Sequence, residues 1–152
     1  MIMSDENFTY LVDQFADVRI MRYRIPDWDQ LSLRQKAYIY CLGEAAKCGR
    51  DILFDQNYKY NLVIRKTLEA VLETYQGDRE CVDFQNFVVY AKRVFFSNGI
   101  HHHYAEDKFF PEISERYFSS LVRNSNSSAL PLNPHESIDD FIAFLTPVIF
   151  DR

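Results

Sequence analysis

Residues Asp83-Phe-Gln-Asn-Phe-Val-Val-Tyr-Ala-Lys-Arg-Val-Phe-Phe-Ser-Asn98-Gly99 decide the fold class. Phe84, Phe87, Val88, Ala91, Val94 and Phe95 recur at helical spacing and form one broad apolar face. Asp83 is the expected cap. Asn98-Gly99 is the expected stop, because both residues tolerate the left-handed backbone common at helix C-termini. The pattern predicts a helix over 83–96.

The same periodicity recurs on both sides. Upstream, Ile64, Leu68, Val71, Leu72 and Tyr75 predict a helix over 60–75, ended by Gly77. Further upstream, Ser32 with Gln35 reads as a capping box opening a helix over 33–48. Ala37, Tyr40, Cys41 and Ala45 fall on one face of it. Gly49 is the expected cap at its end, with re-entry into helix through Arg50 to Phe54 as the alternative. Downstream, Ile113, Tyr117, Leu121 and Val122 predict a helix over 112–122, beginning at Pro111 or Glu112. Ser137 caps a last helix over 138–146, which Pro147 interrupts. Asp17 to Ile25 is the one good strand signal, and residues 7–16 read as a short helix or an extended arm. A strand needs partners for its backbone groups. They come from a weak second strand or from outside the chain. The fold class is therefore mainly α: a single domain over 1–152, of about five helices with one short edge strand.

Composition fits one globular domain. The chain has 152 residues, 47% apolar and 26% charged, and a high aromatic share of 16%. The net charge of -5 comes without a basic stripe, so nucleic acid is not an expected partner. No apolar run reaches membrane-spanning length, so no membrane partner is expected either. Met1 to Asn7 lacks a basic start and an apolar run, which makes a cytoplasmic location the simplest expectation. A matured periplasmic or secreted protein would look the same. Cys41, Cys48 and Cys81 form no Cys-x-x-Cys pair and read as idle thiols.

The chemistry-bearing residues concentrate after the 83–96 helix, in His101-His102-His103. In an extended segment His101 and His103 share one face and His102 takes the other, so at most two converge. A metal on these histidines would need carboxylates as well, and Glu106 and Asp107 are the nearest. Hydrogen-bonded histidines at a turn or cleft edge are the expectation. His135-Glu136-Ser137-Ile138-Asp139 begins like His-Glu-x-x-His, but Asp139 stands where the second imidazole belongs. No Gly-x-Ser-x-Gly elbow and no glycine-rich phosphate loop is present. Asp27, Asp29, Asp139 and Asp140 sit where helix N-termini favour negative charge. Trp28, Tyr58 and Tyr60 are either anchors for a partner surface or ordinary packing.

Several blocks resemble the dipeptidyl peptidase III family of Bacteroides-type bacteria. They are Val12-Asp-Gln-Phe-Ala-Asp-Val-Arg-Ile-Met-Arg-Tyr-Arg-Ile-Pro, Gly49-Arg-Asp-Ile-Leu-Phe-Asp-Gln-Asn-Tyr-Lys-Tyr-Asn-Leu, Phe96-Ser-Asn-Gly-Ile-His-His-His-Tyr and Phe144-Leu-Thr-Pro-Val-Ile-Phe-Asp. The likeness runs in order over almost the whole chain. These are two-lobed zinc exopeptidases that remove dipeptides from peptide N-termini. The resemblance implies that this chain is the N-terminal portion of the non-zinc lobe. The family's zinc helix, His-Glu-x-x-Gly-His, is absent, so no metal or other cofactor is expected here and zinc belongs to the missing lobe. The implied partners are peptides and that lobe. The strand Asp17–Ile25 would belong to a barrel, or pair with another copy in a homo-oligomer. In the same alignment Tyr104 borders the pocket for the peptide's terminal side chains, while Asn98 and Gly99 shape the turn before it. No catalytic residue carries over.

Three readings follow. The first is the peptide-cleft scaffold of such an enzyme, inactive alone. The second is a free-standing helical module that binds peptides or a protein. The third is an independent hydrolase or metal-dependent enzyme using the histidines.

Overall fold

The computed structural model describes residues 8–152, and Asn7 of the expected arm lies outside them. The protein is mainly helical, with a two-stranded antiparallel sheet. It divides into two compact units, Met1–Cys48 and Gly49–Arg152. Each is described by itself.

In the first unit, β1 (Leu11–Phe15) pairs with β2 (Val18–Met21). The expected strand Asp17–Ile25 is thus shorter, and it has a partner in the segment read as a helix or arm. Ala16, at φ 47°, and Asp17 make the tight turn, so Asp17 cannot be strand. Pairing outlasts β2, because the Arg22 amide still donates to the Tyr10 carbonyl at 2.9 Å. Helix α1 (Leu33–Lys47) opens on the expected capping box. The Ser32 amide donates to Gln35 Oε1 at 2.9 Å, and the Gln35 amide donates to Ser32 Oγ at 3.4 Å. No residue of α1 is buried.

The second unit holds the core. Its helices are α2 (Arg50–Asn57), α3 (Asn61–Thr74), α4 (Val82–Ser97), α5 (Glu115–Arg123) and α6 (Ile138–Phe150). Helix α3 contributes Ile64, Leu68 and Val71, and α4 contributes Phe87, Ala91 and Val94, all buried. Helices α5 and α6 close the core with Phe118, Leu121, Phe141 and Leu145. The stripes predicted for these four helices face this core. Among the described residues no helix is long and apolar enough to cross a membrane.

Three of the boundaries that differ from expectation have a visible cause. Helix α4 is capped at Cys81, whose extended backbone precedes the first turn, and Asp83 lies inside that turn. Helix α5 begins after Ser114, whose Oγ accepts the Tyr117 amide at 3.1 Å. The Glu112 carbonyl accepts Asn86 Nδ2 at 3.0 Å instead of opening the helix. Helix α6 continues past Pro147 to Phe150, because Leu145 and Ile149 remain buried and the Phe150 ring meets Phe118. That packing outweighs one missing backbone bond.

Candidate functional site

The end of α4 builds the site. Asn98 adopts the left-handed conformation, at φ 54° and ψ 36°, and the Gly99 amide donates back to the Val94 carbonyl at 3.0 Å. The chain then enters a hairpin. The Phe109 amide donates to Ile100, and the His102 amide donates to Asp107, both at 2.8 Å. His101 and Lys108 face each other across it.

One buried side chain fixes this exit. Asn61, only 1% exposed, accepts the Ile100 amide on Oδ1 at 3.1 Å and donates Nδ2 to the Asn98 carbonyl at 3.4 Å. Gly99 lies directly against it, where a Cβ would come within 2.1 Å of Nδ2. Asn57 also reaches the Asn98 carbonyl, at 3.4 Å.

Between the end of α2, the start of α3 and the hairpin lies a concavity of about 640 Å³. Asn98 and Gly99 line it, as do Asn57, Tyr58 and Asn61 and the three histidines with Glu106. Tyr104 is not in its wall. It stands at the hairpin tip, 88% exposed, with its ring against His103 and its amide donating to His102 Nδ1 at 3.2 Å. His103 packs on Phe96 and stacks on His102. His101 is half-buried, edge-on to Tyr58 at 5.2 Å between ring centroids. Burial, reinforced by the Lys108 charge, lowers its pKa, against an opposite pull from Glu106. Burial also lowers the pKa of Lys108, whose Nζ donates to the Asp151 carbonyl. Tyr58 and Tyr60 meet edge to face, and Tyr60 packs on Phe144, so both are packing residues, and Tyr58 is also part of the wall. Trp28 belongs to the first unit and lies under Lys36.

The residues do not fit the zinc of the resembled family. Among the described residues no three His, Cys, Asp or Glu side chains converge for a metal. His135, at φ 70°, stands before α6 rather than on it. Glu136 is occupied by the Asn133 amide and Nδ2. The site can therefore hold a ligand through amides, imidazole and aromatic edges.

Of the site residues expected from sequence, Asn98 and Gly99 line the concavity and Tyr104 does not, while Asn57 and Asn61 were missed. Asn61 carried a signal, since it lies three positions before Ile64, on the apolar stripe of α3. No family model and no curated protein matches this chain.

Proposed function

We propose that this chain forms the peptide-cleft portion of a dipeptidyl peptidase III-like zinc exopeptidase and hydrolyses nothing by itself. The supporting observation is the concavity beside the histidine hairpin, built by the segment that the sequence resemblance assigns to the cleft border. Its amides, imidazoles and Tyr58 ring suit a peptide main chain with small side groups. In this reading Asn98 and Gly99 shape the wall, and the exposed Tyr104 ring meets the peptide's terminal side chains once the zinc-bearing lobe stands opposite. Hydrolysis requires zinc to polarise the carbonyl and a glutamate to activate water. The isolated chain should therefore leave a chromogenic dipeptide substrate intact while still binding short peptides at its hairpin. Turnover that a chelator blocks and zinc restores would overturn this.

A second reading has one observation in its favour. Helix α1 exposes Leu33, Tyr38, Ile39, Tyr40 and Leu42, and a helix apolar on several sides normally lies covered. As a free-standing interaction module, the chain would use this unit to dock a partner, with the strand region Asp17–Ile25 accepting a strand from a second copy.

A further inference from the structure

We infer that His101 is the residue that reads the ligand in the concavity, by pairing its neutral imidazole with a main-chain amide of an extended, uncharged peptide segment. The inference rests on the peptide-cleft reading and goes beyond it, because the family resemblance points to Tyr104 and assigns His101 no role. Three observations carry it.

The first is position. His101 lines the concavity, whereas Tyr104 does not. The second is valence. His102 Nδ1 is occupied by the Tyr104 amide, and His103 Nδ1 lies 3.5 Å from Ser97 Oγ. Among the described residues, by contrast, no group hydrogen-bonds either ring nitrogen of His101, whose ring contact is with the Tyr58 edge. A half-buried imidazole whose two nitrogens have no protein partner keeps both available to a ligand.

The third is charge. Lys108 faces His101 across the hairpin, and Glu106 lies on the same wall. From α2, α3 and the turn between them the facing groups are Asn57, Asn61 and Tyr58, none of them charged at neutral pH, and His102 and His103 are the other titratable groups of the wall. Burial and Lys108 together favour the neutral ring, against Glu106 alone. Neutral imidazole offers one donor and one acceptor, the complement of a peptide unit's C=O and N–H. Protonation would replace the acceptor with a donor and add a cation beside Lys108. Binding is therefore present while the ring is neutral. It is lost as pH falls through a value below the ordinary histidine pKa of about 6.5.

The test uses tetraalanine amide as the probe and the imidazole nitrogen resonances of the whole chain as the readout. Millimolar peptide at about pH 7.5 should shift the His101 ring signals, and the shift should vanish once the same spectra show the His101 ring protonated. His101→Phe keeps a ring against Tyr58 but removes both nitrogens. It should weaken binding at least ~10-fold, the scale of one lost hydrogen bond. Peptide shifts in the concavity with His101 unmoved, or equal affinity in His101→Phe, would remove His101 and leave the peptide reading standing. No shift anywhere in the hairpin would overturn both.

Discussion

Gly99 has no room for a side chain, and the reason lies 38 positions earlier in the chain, at Asn61. Asn61 holds the Asn98 carbonyl and the Ile100 amide, and the glycine between them presses on its amide group. An alanine at 99 would force Asn61 aside and strain a backbone at φ 157°. Gly99→Ala should cost about 2–3 kcal/mol, as overpacking of a tight site does. Asn61→Ala strands a buried amide and should cost about 1–3 kcal/mol. Because the two substitutions break one lock, the double variant should lose less than the sum. Tyr104→Ala, at the exposed tip, should change stability by less than ~0.5 kcal/mol. Urea denaturation of the four variants checks all of this. Additive losses at 61 and 99 would mean two independent contacts, and a large loss at 104 would make Tyr104 structural.

At the scale of elements, long apolar stripes were legible and short pairings were not. The α3, α4, α5 and α6 stripes announce themselves because burial imposes helical spacing on the sequence. The Ser32–Gln35 box and the Asn98-Gly99 stop are equally local, and both stand in the structure. The start of α5 was misread because a contact distant in sequence, Asn86 to Glu112, holds the backbone out of the helix. The strand Leu11–Phe15 was ambiguous because its two faces carry no strict alternation, with only Phe15 buried. The histidine hairpin was hidden for a similar reason. Its pairing of Ile100 with Phe109 depends on a bond from Ile100 to Asn61, 39 positions earlier, and no local pattern encodes that contact even though the polar Asn61 stands out on the α3 stripe. The sheet of β1 and β2 also has a consequence. In a two-stranded sheet each strand keeps one unpaired edge, which can template another chain. If β2 pairs with a second copy, sedimentation should show a dimer that grows with concentration, and Met21→Lys should suppress it. A sedimentation coefficient independent of concentration would remove this mode of assembly.

For the whole molecule, the distribution of burial separates two kinds of stability. The unit from Gly49 onward contains nearly every buried apolar residue, while Phe15 is the sole buried apolar residue among the described residues of the first unit. A 15-residue helix such as α1 is marginal in water without a covered face. Leu33, at 84% exposed, is no better covered than a residue of an unfolded chain. Amides of α3 and α4 should therefore exchange with solvent only through global unfolding, whereas α1 amides should open locally. In hydrogen exchange of the dilute chain, protection in α1 should stay below about 100-fold and that in α3 and α4 should exceed it by orders of magnitude. Equal protection in α1 and α4 would mean that α1 is covered in solution, contradicting its exposure here. The same measurement discriminates between covers. Protection that rises in α1 with protein concentration identifies a second copy. Protection that rises only when a zinc-bearing lobe is added identifies the apolar face of α1 as a surface made for that lobe, and favours the peptidase reading over the free-standing module.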